Sequence, residues 1–190
     1  MDAKLDSKTN ILAAAARLFH LQGYHATGLN QILKESGAPK GSLYYYFPNG
    51  KEQLATEAIE QMSERIYVEI KNSLNNFPTL KEGIQFYIEK LAQKFDKIDE
   101  LESMPIGLLA SETSLISEPL RNTCLRSYQK WEDLYYQKLI ENHFDSKDAS
   151  HISVMITCLI EGAITRSLVS HNGNPLREVR ISLNKLIEEK

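Results

Sequence analysis

Apolar residues recur at every third or fourth position along almost the whole chain, and no convincing alternation of apolar and polar residues marks a strand. The stretch from Lys51 to Leu74 shows the pattern plainly, since its apolar residues return every four positions. This periodicity predicts an all-α protein of about nine helices, three short ones followed by about six longer ones. The expected boundaries fall at Ser7 and Ser146 as N-caps, at Gly23 and Gly37 as stops, and at Pro39, Pro48-Asn49-Gly50, 75–79, Pro105, Pro119 and Asn174-Pro175 as breaks.

The balance of residue types fits a soluble globular protein, because 42% of residues are apolar and 25% are charged. The net charge of −3 is spread unevenly. Residues 1–60 hold six Lys or Arg and six Asp or Glu, whereas residues 61–190 hold 16 and 19. Since an acidic surface repels nucleic acid, any contact with DNA must be local and must come from the N-terminal part.

Cellular location and redox state follow from what the sequence lacks. No run of 18 uninterrupted apolar residues occurs, and the first residues have no apolar signal-peptide core. Cys124 and Cys158 cannot form a disulfide framework, and each lies on an apolar helix face. We therefore expect a cytoplasmic protein with no membrane partner, in which both cysteines are buried structural thiols.

Enzymatic chemistry finds no support in the residue spacing. None of the five histidines pairs with another four residues away, as a helical zinc site requires. The chain also lacks a glycine-rich phosphate loop and a Gly-x-Ser-x-Gly elbow. We predict no catalytic residues, no metal site and no cofactor.

The segment from Leu29 to Lys51 carries the strongest functional signal. Two short predicted helices joined by residues 35–39 have the dimensions of a helix-turn-helix. Leu43 and Phe47 lie four residues apart on the second of these helices, so both should point inward. The face away from them then presents Gly41, Ser42 and Tyr45, flanked by Tyr44 and Tyr46.

The outward face has the chemistry of a nucleic-acid contact. Three consecutive tyrosines on so short a helix cannot all be buried, and their hydroxyls suit phosphate oxygens. Gly41 leaves room where the helix would meet a groove wall, while Lys40 and Ser42 supply a charge and a hydroxyl. Lys51 and the free N–H groups of the next helix form a second anion-binding point. The alternative is that the tyrosines cover a dimer or crystal surface.

Two runs in this region resemble the DNA-binding domain of the TetR family of bacterial repressors: Ala-Thr-Gly-Leu-Asn-Gln-Ile at 26–32 and Gly-Ala-Pro-Lys-Gly-Ser-Leu-Tyr-Tyr-Tyr-Phe-Pro at 37–48. Pro39 stands where many members have Ser, and Tyr46 stands where many have His. Residues 47–52 and 107–121 are similar to the LmrA/YxaF (QdoR) subgroup, whose members respond to flavonoids and some antibiotics. The resemblance implies DNA contacts from Lys40, Gly41, Ser42, Tyr44, Tyr45, Tyr46 and Lys51, and a phosphate contact from Thr27.

The C-terminal part carries a second candidate site, for a small molecule. Glu161 is a carboxylate within an otherwise apolar helix, and with Cys158 and Thr165 it forms a polar stripe. Because a buried carboxylate without partners is costly, this stripe should face either a ligand or a dimer partner, and the two alternatives stay open. The aromatic residues near it are either ordinary core or the lining of a cavity. The candidate lining comprises Phe86, Phe95, Trp131, Tyr135, Met155, Cys158 and Glu161.

The last two predicted helices, about 147–170 and 175–189, each carry an apolar face that is large for a monomer. We expect these faces to form a four-helix dimer interface from Ile152, Ile156, Leu159, Ala163, Ile164, Val179, Leu183 and Leu186.

Together these features predict a homodimeric, ligand-responsive repressor of a palindromic DNA operator. Residues 1–50 would form the helix-turn-helix domain, and residues 51–190 would bind the effector and dimerise. The subgroup resemblance implies that the effector is a flat, largely apolar molecule such as a flavonoid. The alternatives are a helical enzyme and a helical interaction module without DNA binding.

Overall fold

The computed structural model describes residues 2–97 and 105–188 of the 190-residue chain. Within these ranges the regular secondary structure is entirely helical, which confirms the all-α prediction. The nine helices are α1 (Asp2–Ala26), α2 (Leu29–Ser36), α3 (Lys40–Tyr46), α4 (Gly50–Asn75), α5 (Leu80–Phe95), α6 (Ile106–Thr113), α7 (Glu118–Glu141), α8 (Ser146–Ser170) and α9 (Asn174–Glu188).

Two predicted N-caps are wrong. Helix α1 already begins at Asp2, so Ser7 lies inside the helix and does not cap it. Asp145 caps α8 in place of Ser146, because its carboxylate accepts hydrogen bonds from the backbone N–H groups of Lys147 and Asp148.

The predicted stop at Gly23 is a sharp kink within α1. Its φ of 81° and ψ of 173° interrupt the helical geometry, and only glycine adopts such angles readily. The helix resumes after the kink and ends at Ala26.

The chain packs as two compact units. One contains the described residues of Met1–Glu64 and Glu102–Arg126, and the other contains those of Arg65–Leu101 and Ser127–Lys190. Helices α4 and α7 each contribute residues to both units. The expected domain boundary at residue 50 separates residues by their expected function, and it does not coincide with the division into packed units. That functional boundary stays a prediction.

In the first unit, α1 packs against α2, α3 and α6. The core is dense, with Ile11, Phe19 and Ile32 almost completely shielded from solvent. Burying one such side chain contributes roughly 1.5–3 kcal/mol to folding. This packing supplies the rigid support on which the short helix α3 is held.

The second unit is built around contacts of α5 with α8 and α9 and of α8 with α9. Arg177 on α9 bonds the carboxylates of Glu89 and Asp96, which ties α9 to α5. Gly173, between α8 and α9, lies so close to α5 that an added Cβ would be 2.3 Å from the carbonyl oxygen of Ala92.

Among the described residues, only α8 is long and apolar enough to cross a membrane, a test that core helices of soluble proteins also pass.

Candidate nucleic-acid interface

The turn between α2 and α3 is fixed by its backbone. Gly37 has a φ of 64°, the left-handed conformation that lets α2 end sharply. Pro39 then enters α3 with a φ of −61°, a value that its ring imposes. At the other end of α2, the side chain of Gln31 accepts a hydrogen bond of 2.9 Å from the backbone N–H of Gly28. Both helices therefore have defined starts, as a helix-turn-helix requires.

Helix α3 is anchored as the spacing predicts, because Leu43 and Phe47 are both completely buried. The opposite face is open to solvent. Tyr45 is 73% exposed and Tyr44 is 49% exposed. An added Cβ at Gly41 would meet no atom within 4 Å. The structure thus brings a glycine and aromatic side chains together on one free surface.

The exposed tyrosines have aromatic and cationic neighbours on the same helix. The rings of Tyr45 and Tyr46 meet edge to face with their centroids 4.8 Å apart. The Lys40 ammonium lies 6.0 Å from the centroid of the Tyr44 ring. Tyr46 itself is half-buried, whereas Lys40 is exposed. Such a surface offers a positive charge and hydroxyl groups to an anionic partner.

Lys51 is held at the start of α4 rather than extended into solvent. Its ammonium lies 4.3 Å from the centroid of the Tyr24 ring and 3.4 Å from the carbonyl oxygen of His25. Partial burial lowers the pKa of this ammonium, and the negative charge of Glu112 acts in the opposite direction. The side chain is therefore pre-positioned beside the first turn of α4.

Gln53 stabilises the turn between α3 and α4, and sequence reasoning missed it. Its side-chain oxygen accepts a hydrogen bond of 3.2 Å from the backbone N–H of Asn49. Its nitrogen donates one of 3.1 Å to the carbonyl of Tyr46. A polar side chain one turn after a Pro-Asn-Gly turn was the available signal.

Thr27 does not present its side chain to DNA. It is only 1% exposed, and its hydroxyl donates a hydrogen bond of 2.7 Å to the carbonyl of Gly23. The same oxygen accepts a bond of 3.3 Å from Gln22. Its hydroxyl therefore holds the corner between α1 and α2 from the inside, and the implied phosphate contact by this side chain is withdrawn.

The candidate effector residues lie in the second unit, and most of the aromatic ones point inward. Phe95, Trp131 and Tyr135 are each at least 96% shielded from solvent, as expected. Phe86 is 45% exposed and packs beside Phe77 at a centroid distance of 5.3 Å, so its inward placement was wrong. The buried residues of α5, among them Ile84 and Ile88, recur along one side of the helix, and position 86 falls on the opposite side.

The three residues of the predicted polar stripe of α8, Cys158, Glu161 and Thr165, differ in their exposure to solvent. Cys158 is exposed, so the prediction of a buried thiol there was wrong, whereas Cys124 is buried as expected. Thr165 is also exposed, and its hydroxyl donates to the backbone carbonyl of Glu161. Met155 and Glu161 are half-buried. Only the Glu161 carboxylate is therefore partly buried, while Cys158 and Thr165 are exposed to solvent.

Glu161 belongs to a cluster that contains the predicted Tyr135 together with Tyr87 and Tyr128, which sequence reasoning left out of the site. Its carboxylate accepts a hydrogen bond of 3.3 Å from the hydroxyl of Tyr128. Burial is the main cause that raises the pKa of both Tyr87 and Tyr135. The negative charge of Glu161 contributes less, after Glu69 at Tyr87 and after Tyr87 at Tyr135. The signal for Tyr87 was a hydroxyl on the apolar face of α5.

Trp131 belongs to the same neighbourhood, since its ring meets that of Tyr128 edge to face at 5.6 Å. We call Tyr87, Tyr128, Trp131, Tyr135 and Glu161 the tyrosine–glutamate cluster. No group of three or more potential metal ligands occurs among residues 2–97 and 105–188.

The predicted dimer face is largely used within the chain. Ile156 and Leu183 are completely buried, and Ala163 and Ile164 nearly so. These residues are buried within the protomer, in helices that contact each other and α5, so they were wrongly assigned to an open face. Ile152, Leu159 and Val179 are half-buried, and Leu186 is 36% exposed. The apolar side chains that α8 and α9 do expose are Val154, Val169, Ile181 and Leu186.

Comparison with known proteins decides the family. Residues 11–58 match the model described as bacterial regulatory proteins of the tetR family. Residues 81–181 match the C-terminal domain of LmrA/YxaF-like transcriptional regulators. The chain belongs to the TetR family. Its helix-turn-helix is therefore that of a transcriptional regulator, and the second match confirms the predicted subgroup.

This TetR-family chain has relatives of nearly the same length. It is 46% identical to the transcriptional regulator YxaF of Bacillus subtilis over 190 residues, which cover all of both chains. It is also 46% identical over 183 residues to LmrA of the same organism, covering 96% of this chain and 97% of LmrA.

Among solved structures, reduced NemR of Escherichia coli superposes with a TM-score of 0.84 at 22% identity, covering 95% of this chain and 96% of NemR. A TetR regulator from Legionella pneumophila gives a TM-score of 0.81, also at 22% identity, covering 95% of this chain and 97% of its own. At such identities the two structures support the fold.

Proposed function

We propose that this regulator is a cytoplasmic repressor that binds a palindromic DNA operator as a homodimer and releases it when a planar aromatic effector binds. The observation that carries the proposal is the surface of α3, where Tyr44, Tyr45 and Gly41 stay exposed although Leu43 and Phe47 anchor the helix completely. A catalytic role is not proposed, since the family and the named relatives are regulators.

In the proposed complex, α3 enters the major groove. Lys40, Gly41, Ser42 and the three tyrosines face base edges and the flanking phosphates, while Lys51 and the start of α4 bind a further phosphate. The exposed face is short, so the affinity of one protomer would be modest. A twofold dimer would place two such helices in successive grooves, which is the reason for expecting a palindrome.

The proposed dimer uses the side chains that α8 and α9 leave in solvent. Val169 is 83% exposed, Ile181 is 50% exposed and Val154 is 45% exposed. A contiguous apolar patch is typical of a surface that is covered in the working assembly, and the proposal takes these side chains to belong to one such patch. The interface thus lies on the outer faces of these helices, while the inner faces stabilise each protomer.

The tyrosine–glutamate cluster is the proposed effector site, and the buried Phe95 belongs to the same unit. Aromatic rings supply stacking surface for a planar molecule, and a carboxylate or tyrosine hydroxyl orients a phenol by hydrogen bonding. Full release requires the effector to prefer the released state by roughly 5.5 kcal/mol, and partial release requires less. Helices α4 and α7 run from this unit into the DNA-binding unit, so either helix can carry a change along the chain.

The DNA-binding proposal is tested by selecting a duplex from a random-sequence pool with the wild-type protein. Affinity for this selected duplex is then measured with the double variant Lys40→Ala, Tyr45→Ala. Each side chain removed should weaken binding by ~1–3 kcal/mol if it reads a base, and its removal should lower the salt dependence if it touches phosphate. Unchanged affinity would refute the assignment of α3.

A matched control removes another lysine–tyrosine pair. The Lys130 ammonium lies 4.3 Å from the centroid of the Tyr67 ring, in the second unit. The double variant Lys130→Ala, Tyr67→Ala loses the same two side-chain types and should bind the selected duplex as the wild type does.

The effector proposal is tested by titrating quercetin into the complex with the selected duplex. Trp131 is the only tryptophan, so its fluorescence reports on the proposed site. Quenching accompanied by release supports the proposal, whereas quenching without release refutes the coupling. If a series of planar phenols produces neither, the proposed effector class is wrong, and the DNA-binding assignment is unaffected.

A further inference from the structure

The kinked end of α1 is held by a carboxylate from α6. One oxygen of Glu112 accepts hydrogen bonds from the backbone N–H groups of Tyr24, at 2.7 Å, and His25, at 3.3 Å. The backbone carbonyl of Glu112 lies 3.3 Å from Nε2 of the His25 ring. Although these residues are far apart in sequence, they belong to the same compact unit.

The kink explains why a side-chain acceptor is needed here. At Gly23 the backbone leaves helical geometry, so the N–H groups that follow lose the usual carbonyl acceptors four residues earlier. An oxygen of the Glu112 side chain supplies the missing acceptor for the N–H groups of Tyr24 and His25. The fit is also close, since an added Cβ at Gly23 would lie 2.3 Å from the second oxygen of Glu112.

The segment that Glu112 holds carries groups of the proposed DNA surface. The carbonyl of His25 and the ring of Tyr24 both contact the Lys51 ammonium. The same segment leads directly into Thr27, whose buried hydroxyl fixes the corner before α2. A change in the positions of residues 24 and 25 therefore reaches both the start of α2 and Lys51.

We propose that Glu112 is a positioning residue for operator binding: its carboxylate fixes the backbone of Tyr24 and His25, and through them the placement of Lys51 and α2. Glu112 itself contacts no DNA in this scheme. The inference rests on the proposed DNA binding, but the hydrogen bonds on which it depends are testable without DNA.

Two substitutions of Glu112 separate the effect of side-chain length from the effect of side-chain charge. Glu112→Gln keeps an oxygen at the same distance from the backbone and removes the charge. Glu112→Asp keeps the charge and shortens the side chain, so the carboxylate no longer reaches the amides. Glu118→Gln is the matched control, because Glu118 is an exposed glutamate of the same unit, 3.6 Å from Arg121 in an ion pair.

The first measurement is hydrogen exchange at the amides of Tyr24 and His25 in the free protein. Exchange should be at least tenfold faster in Glu112→Asp than in the wild type, and close to wild type in Glu112→Gln and Glu118→Gln. Circular dichroism verifies that each variant is folded. Unchanged exchange in Glu112→Asp would overturn the inference, whatever the DNA affinity of that variant.

The second measurement is affinity for the duplex selected by the wild-type protein. Glu112→Asp should bind at least fivefold more weakly, because a destabilised segment lowers the fraction of protein that is competent to bind. Glu112→Gln should stay within about twofold of the wild-type affinity, because its side chain still holds the segment. The reverse order, with Asp normal and Gln weak, would show that charge acts without positioning and would overturn the proposal. If the wild type selects no duplex, the proposed function fails, and the exchange result still decides whether Glu112 holds the segment.

Discussion

Replacing Gly41 by alanine should change stability and DNA affinity in opposite directions. Gly41 lies in the first turn of α3, is exposed, and has no atom within 4 Å of the position that a Cβ would take. The added methyl therefore meets nothing in the free protein. On DNA the same methyl would lie on the face that enters the groove, between Lys40 and the exposed Tyr45.

The expected stability change follows from backbone entropy. Alanine is favoured over glycine by roughly 0.5–1 kcal/mol inside a helix, and the gain is smaller in the first turn. For a protein of this size, 1 kcal/mol shifts the melting temperature by about 2–4 °C. We expect Gly41→Ala to melt at the wild-type temperature or up to ~3 °C higher. Displacement of one close contact in each half-site should weaken binding by ~1–3 kcal/mol, which is roughly 5-fold to 150-fold.

The assay combines thermal denaturation with fluorescence anisotropy on the selected duplex at two salt concentrations. Because the variant is at least as stable as the wild type, weaker binding cannot be assigned to unfolding. If the methyl also pushes a cationic side chain away from a phosphate, the salt dependence of binding should fall. Wild-type affinity at both salt concentrations would refute the placement of Gly41 at the groove wall.

Three further predictions concern the second unit. Gly173→Ala forces a methyl against a backbone carbonyl of α5 and should cost about 1–3 kcal/mol by thermal denaturation, while Gly162→Ala, which meets no atom within 4 Å, should cost nothing. The Arg177 guanidinium and a backbone N–H lower the pKa of the Asp96 carboxyl, so the stability it contributes is present above its unfolded pKa of about 4 and is lost as pH falls through the lowered value. Asp96→Asn should therefore be less stable by under ~1 kcal/mol at pH 7 and equal to the wild type in acid, as measured by urea denaturation across pH. Val169→Asp should shift the protein from dimer to monomer in sedimentation without loss of helicity, and a persistent dimer would contradict the proposed interface.

The helix-turn-helix could be predicted in detail because its determinants are local. The positions of Gly37 and Pro39 fix the turn, and the separation of Leu43 and Phe47 fixes which face of α3 is outward. The apolar period also located the helices within the described ranges, although α1 begins at Asp2, well before the expected N-cap at Ser7. The errors at Ser7 and Ser146 arose because several polar residues near a helix start can serve as caps, and only the backbone geometry selects among them.

The parts of the site that were missed depend on contacts between distant residues. Glu112 and Tyr24 are separated by 88 positions, and no periodicity links them. Thr27 matches a family motif, yet its hydroxyl turns inward because the carbonyl freed at the Gly23 kink is the nearer acceptor. The family motif predicts the DNA contacts as a set, whereas the kink at Gly23 decides that the Thr27 hydroxyl turns inward.

The misplaced dimer residues show a limit of apolar periodicity. A helix such as α8 can have two apolar faces, one that packs on its own chain and one that packs on a second copy, and both recur with the same spacing. Ile156 and Val169 are equally apolar, yet the first is completely buried within the protomer and the second is 83% exposed. Only the positions of α5 and α9 separate the two faces. A charged residue at Ile156 would therefore disrupt the protomer itself, whereas the same change at Val169 tests association alone, and the dimer hypothesis has to be tested on the exposed face.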